Sequence, residues 1–386
     1  MKSVIKNNGI ILVFLFSQLI LFSLALQNDD IIGNDYEINK ALSFHIIIII
    51  LVLVGYLIKK EIVFSYTKNF TYNNYFKLNK GFFLLCLTLI VVGLFTSILT
   101  VGSIVSPQEY LAQLASNDAG IADIRQQAGD GGLGGVFKML NYLPLAVYLI
   151  TSSYLNFYNF EENEIKKIKK INAISLFASL VKVLFSLDRL TIMAILLVQI
   201  YTNLLKKKLN VKFLIIVFCV LSLGSFITSS RMSDSSFFDF LIVYCKLSLV
   251  NFQMVIDNQS DFSFGFQTFF APLSFIAKFF GLDIGVPVPN VWIWNPAQYF
   301  NSYLFMDFGY FSFLIYPVMG YFINLVEINK RRGSRLYTSL YFVLMFTIAT
   351  FISVPFLRGM EFWVLIIICW LLSKFIRNEK LHRFKQ

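Results

Sequence analysis

Asp188 and Arg189 stand side by side in FSLDRLTIMAILL, residues 185–197, inside an otherwise apolar run. A charge within such a run is expensive to insert into a bilayer, so ionisable residues there mark pathways or sites. Three more cations occupy comparable places: Lys182 one to two helical turns before the pair, Arg231 in FITSSRMSDSS and Arg358 in SVPFLRGMEF. An arginine offers a planar fork of donors that grips phosphate oxygens in pairs. The chemistry this pattern suits is recognition of an anion, a phosphate or pyrophosphate on a lipid, at the membrane–water boundary. For any one of these cations alone, a stem lying on apolar surface with its head in water is the favoured reading. Three arginines at the ends of three hairpins favour a shared ligand.

Composition sets the frame for these residues. The chain has 386 residues, 57% hydrophobic and 14% charged, with a mean hydropathy of +0.69. That is the composition of a polytopic membrane protein. The net charge of +11 comes from basic clusters strung between apolar runs, which reads as membrane topology and excludes a nucleic-acid partner. Cys86, Cys219, Cys245 and Cys369 show neither disulfide nor zinc spacing and read as small core residues. His45 and His382 are the only histidines, and no Ser-His-Asp, HExxH or Cys-His arrangement is available.

Apolar runs near 9–26, 41–58, 81–100, 136–156, 171–187, 190–205, 211–228, 303–327, 337–354 and 360–376 each approach the ~17–25 residues that cross a bilayer. They predict an all-α domain over residues 1–386 with about ten spans. The first run follows Lys2 and Lys6 without a small-residue cleavage pattern, and so reads as a retained helix. Putting alternate loops in the cytoplasm gathers most of the 33 basic residues there, including KKIKK at 166–170, KKK at 206–208 and KRRGSR at 330–335. Both termini are then cytoplasmic.

The same rule explains Asp188 and Arg189. One helix from Ile171 to Leu205 would be about 50 Å long, too long for the hydrocarbon core, and both its flanks are basic. The segment must therefore turn at the outer surface, and Asp188-Arg189 is its only pair of adjacent charges.

Two outer loops remain. Residues 229–302 form the larger, in which 237–256 reads as an amphipathic helix at the interface or against the bundle. Beyond it, GFQTFFAPLSFIAKFFGLDIGVPVPNVWIWNPAQYFNSY interleaves aromatics with amides and acids. Trp292, Trp294, Asn295 and Tyr299 suit stacking on and bonding to sugar rings, and suit an ordinary interfacial loop as well. Pro272, Pro287, Pro289 and Pro296 predict irregular structure instead of helix. The second loop, 101–136, ends in AGDGGLGG, a glycine run without the Lys-Ser/Thr of a phosphate loop; it reads as a hinge.

Two stretches, SLDRLTIMAILLVQIYTNLLKKK and NSYLFMDFGYFSFLIYPVMGYF, carry a family resemblance. In the first, an arginine opens a mid-chain helix that ends in lysines; in the second, aromatic, acid and glycine precede an inward-running helix. Together with the topology, they resemble the Wzy-type O-antigen polymerases. The resemblance implies a GT-C-like polymerase fold in the bacterial cytoplasmic membrane. It implies an integral-membrane glycosyltransferase without metal or cofactor, whose donor and acceptor are undecaprenyl-pyrophosphate-linked glycans and whose product is O-antigen or capsule. A chain-length regulator is a possible partner, besides membrane lipid. Arg189, Arg231, Arg358 and Lys182 would bind pyrophosphate, and the acceptor proton needs at most a nearby carboxylate, for which Asp307, Asp188 and Asp283 are the outer candidates. Plainer roles for these acids are capping a helix for Asp307 and pairing with an arginine for Asp188. The related ligases use a histidine in the large outer loop, which 229–302 lacks. A transporter or flippase of an anionic substrate is the competing class; it predicts internal repeats, and none is visible.

Overall fold

The computed structural model describes residues 2–27, 37–58, 75–116, 139–186, 188–206, 211–229, 237–258, 261–282, 284, 300–350 and 356–379. The described residues are mostly helical: α1 Lys2–Asn7, α2 Gly9–Ala25, α3 Asn39–Leu57, α4 Gly81–Gly102, α5 Pro107–Ser116, α6 Leu143–Phe157, α7 Glu162–Ser186, α8 Arg189–Lys206, α9 Val211–Ser229 and α10 Phe237–Asn258. There follow α11 Phe270–Phe279, α12 Phe300–Phe308, a 3-10 stretch Gly309–Leu314, α13 Ile315–Arg331, α14 Arg335–Ala349, a 3-10 turn Phe356–Arg358 and α15 Met360–Ser373. Two short strands, β1 Tyr75–Leu78 and β2 Ile376–Glu379, pair antiparallel.

A helix stands in each apolar run read from the sequence. Among the described residues, four segments are long and apolar enough to cross a bilayer: Asn39–Leu57, Gly81–Gly102, Arg189–Lys206 and Asn301–Arg331. α2, α6, α14 and α15 are shorter, α9 and α10 have 19 and 22 residues, and the first half of α7 carries the lysine cluster. The break expected inside 171–205 falls where polarity places it, since α7 ends at Ser186 and α8 begins at Arg189. Pro272 corrects one expectation. It lies in the first turn of α11, where a missing N–H breaks no helical bond, so helix and proline coexist. Pro287, Pro289 and Pro296 lie outside the described residues.

Side-chain contacts gather the basic segments at one end of the bundle. The Lys330 ammonium donates to the Lys6 carbonyl at 2.6 Å, Arg335 Nη1 to the Ile376 carbonyl at 2.7 Å, and the Tyr158 hydroxyl to the Ser334 carbonyl at 3.1 Å. The Leu78 N–H donates to Glu164 Oε1 at 3.0 Å, and Phe76 bridges to Phe160, so β1 and β2 seal this end. Glu327, fully buried, accepts the Ile10 and Ile11 N–H groups at 2.6 and 3.4 Å and the Tyr56 hydroxyl at 2.6 Å. It caps α2 from a distant helix, because the first N–H groups of a buried helix have no partner of their own.

α3 and α13 make the most extensive helix pair. Small residues admit the approach: a Cβ on Gly55 would lie 1.9 Å from the Pro317 carbonyl oxygen, and one on Gly320 would lie 2.0 Å from that of Val52. Helices packed in lipid gain their association from such close backbone contact. α10 packs on α2, α3 and α12, with Val243, Leu247, Asn251 and Phe252 buried. Its last turns hold the start of α3: Gln253 Oε1 accepts the Ala41 N–H at 2.9 Å, and Asp257 pairs with Lys40 at 2.5 Å.

Gly55→Ala and Gly320→Ala should each push α3 off α13 and cost about 1–3 kcal/mol, the scale of overpacking. Gly102→Ala, which meets nothing within 4 Å, should leave stability essentially unchanged. Thermal unfolding of the three variants in detergent checks the contrast.

Candidate anion site at the end opposite the basic loops

α7 leaves the basic end at Glu164 and arrives at the far end at Ser186, so the Asp188 turn lies away from the lysine clusters. There Asp188 precedes α8 and accepts the Leu190 N–H on Oδ1 at 2.9 Å, an N-cap bond. Its Oδ2 accepts the Lys182 ammonium at 2.5 Å and the Thr191 hydroxyl at 2.6 Å. Lys182, only 1% exposed, also donates to Thr191 Oγ1 at 3.1 Å and sits 3.9 Å above the centre of the Tyr142 ring. Burial pushes the Asp188 carboxyl up, and Lys182, Thr191 and Leu190 outweigh it, so the group lies below the ordinary carboxylate value. Asp188 is thus an ionised structural acceptor, and its pairing partner is a lysine instead of the arginine that sequence suggests.

Arg189, the first residue of α8, is largely buried beside this pair. α5 closes over the same turn, because the Tyr110 hydroxyl donates to the Leu184 and Phe185 carbonyls at 2.9 and 3.1 Å. Those are carbonyls of the last turn of α7, which have no intrahelical partner.

Arg358 marks a second cluster at this end, between α14 and α15. Its Nη1 donates to the Gln267 carbonyl at 2.9 Å and to Gln267 Oε1 at 2.7 Å. The Tyr303 and Phe270 rings flank the guanidinium, with their centres 4.8 and 5.0 Å from Cζ. Both hydrogen-bond partners are neutral oxygens, so Arg358 is positioned without a carboxylate bound to it. Burial lowers its affinity for a proton, while Tyr303 and Asp307 oppose that effect.

Asp307 lies behind Gln267. Wholly buried, it accepts the Ser263 hydroxyl at 2.6 Å and the Gln267 and Thr268 N–H groups at 2.9 and 2.7 Å. It caps the turn that leads to α11 instead of its own helix. By fixing Gln267 it fixes the two oxygens that hold Arg358.

The expected pyrophosphate ligands thus fall into two groups: Lys182 with Arg189, and Arg358 on its own. Lys182 spends its charge on Asp188. Two of the expected catalytic acids, Asp188 and Asp307, are each engaged by three donors. Arg231, Asp283, Trp292, Trp294, Asn295 and Tyr299 lie outside the described residues. Sequence reasoning missed Thr191, Tyr142, Gln267 and Tyr303 as partners of the cations. Only Thr191 had a local signal, three residues after an N-cap acid. Among the described residues no group of His, Cys, Asp or Glu is arranged to hold a metal.

Asp188→Asn leaves the Lys182 ammonium buried without its counter-charge and should cost about 3 kcal/mol or more. The double variant Lys182→Met with Asp188→Leu should recover most of that loss, and unfolding of the single and double variants in detergent closes the cycle. Acid should weaken the pair in the same direction. The stabilisation is complete above the ordinary carboxylate pKa, about 3.9, and disappears as pH falls through the lower folded value. Compared with known proteins, the chain matches no family model, no curated protein and no solved structure.

Proposed function

We propose that the chain is a repeat-unit polymerase of the O-antigen or capsule type, a membrane glycosyltransferase acting on undecaprenyl-pyrophosphate-linked oligosaccharides at the outer face of the bacterial cytoplasmic membrane. The observation that carries this reading is Arg358, held by two neutral oxygens of Gln267 at the end of the bundle where Arg189 also lies. A guanidinium without a bound carboxylate suits an anion that gains charge as it departs.

In the reaction, a hydroxyl oxygen of the acceptor sugar bonds to the anomeric carbon of the donor glycan while the bond from that carbon to pyrophosphate breaks. The leaving oxygen takes the electron pair, and Arg358 and Arg189 stabilise the charge it gains in a water-poor site. Asp188 and Asp307 act here as positioning groups, the first orienting the turn before Arg189, the second orienting Gln267. The acceptor proton passes to solvent or to a carboxylate of the 229–302 loop, whose aromatic stretch with Trp292, Trp294, Asn295 and Tyr299 supplies sugar-stacking faces. Cytoplasmic termini follow from the basic end of the bundle by the positive-inside rule, and a chain-length regulator is the protein partner this activity calls for. Transport of an anionic lipid-linked substrate is the second reading, favoured by the same cations.

Reconstituted with undecaprenyl-pyrophosphate-linked repeat units, the protein should build a ladder of polymer on a gel. Arg189→Ala and Arg358→Ala should each slow ladder growth about 100-fold or more, the scale of removing one preorganised donor. A wild-type protein that leaves its native substrate as single units would replace polymerisation with transport. Ladders unchanged in both variants would remove the arginines from the site.

A further inference from the structure

The basic end of the bundle holds a cavity of about 450 Å³ between α6, α7 and α8, at the opposite end from Arg189 and Arg358. Its size is that of a small-ligand pocket. Two lysines from different helices, Lys169 of α7 and Lys206 of α8, line it together with Asn156, Asn172, Gln199 and Thr202. Lysine clusters are expected at this end for topology alone; the polar wall beneath these two is not.

The wall has a chemical polarity. Asn172 spends its Nδ2 on Thr151 Oγ1 at 2.9 Å and Ser152 Oγ at 2.8 Å. Asn156 spends its Nδ2 on the Ser152 carbonyl at 2.8 Å and Thr202 Oγ1 at 3.1 Å. Gln199 donates Nε2 to the Tyr148 hydroxyl at 2.8 Å. Asn156 and Asn172 thus spend both amide hydrogens on the wall and Gln199 spends one, and the three amide oxygens stand as acceptors beside the hydroxyls of Ser152 and Thr202, which also line the cavity. An apolar ligand would strand these groups, and a bare phosphate would leave the three amide oxygens without donors. A metal cation would meet two ammonium groups.

We propose that this cavity binds a phosphate ester bearing hydroxyl or ammonium groups, with Lys169 and Lys206 on the phosphate and the amide oxygens of Asn156, Asn172 and Gln199 on those donors. A phospholipid headgroup and a free ester such as glycerol phosphate share this chemistry. The site does not depend on the polymerase reading.

The test uses the purified full chain in neutral detergent, with binding followed by calorimetry and by the shift of thermal unfolding. The probes are sn-glycerol 3-phosphate, short-chain phosphatidylglycerol and inorganic phosphate. Wild type should bind an ester saturably and more tightly than inorganic phosphate. Binding by the lipid alone assigns the site to a headgroup, and binding by both admits the free ester. Lys169→Gln with Lys206→Gln should weaken binding about tenfold or more, the loss expected for charge-assisted hydrogen bonds. Both side chains are exposed, so the unliganded variant should melt as wild type does. Lys166→Gln is the control: Lys166 pairs with Glu162 at 2.8 Å on the same helix, does not line the cavity, and should bind as wild type. Equal losses in the control and the double variant would reduce the effect to diffuse surface charge and overturn the proposal. So would inorganic phosphate binding as tightly as the esters, or no saturable binding at all.

Discussion

An ionised side chain inside an apolar bundle must be met by partners, because neither lipid nor packed hydrocarbon solvates it. This constraint organises the molecule at both ends. Lys182 and Asp188 answer each other across the α7–α8 turn, with Thr191 bonded to both. Glu327 is met by the opening N–H groups of α2 and by Tyr56, and Lys330 by the Lys6 carbonyl and the faces of Phe157 and Tyr341. Asp307 is met by a hydroxyl and two N–H groups, one of them that of Gln267, and Arg358 by the two oxygens of the same Gln267.

The two ends use this constraint differently. At the basic end it builds fastenings: a carboxylate holds a helix start, an ammonium holds a helix-terminal carbonyl, and a two-stranded sheet joins the approach to α4 with the exit from α15. At the other end it builds positions for cations. Asp188 neutralises Lys182 and leaves Arg189 next to the pair, while Asp307 restrains Arg358 through Gln267 without bonding to it directly. A guanidinium so held is oriented before any anion arrives, which is the condition for electrostatic stabilisation without reorganisation.

Much of the fold was legible because apolar length and lysine placement are local signals. The break between α7 and α8 follows from helix length against bilayer thickness, whereas Asp188, read as the partner of an arginine, proves to be the N-cap of α8. The partners were not legible. Gln267 lies 91 residues from Arg358, and Glu327 lies 317 residues from the Ile10 N–H group it accepts. No spacing rule reaches that far. Asp307 is the instructive case: acid and glycine in MDFG suggest a site or a local cap, yet its carboxylate serves a turn some 40 residues earlier.

The sequence by itself determined the class of protein, the places of its helices, the split between basic and non-basic ends and the arginines that escape the basic loops, because each of these rests on composition or on periods shorter than a span. The tertiary structure alone decided which charge is spent and which is kept. Lys182 and Arg358 look alike in the sequence as cations at helix ends. One is neutralised by a carboxylate six residues away and the other is held by neutral oxygens. That difference arises only when distant helices converge and each buried charge takes the partner packed nearest to it.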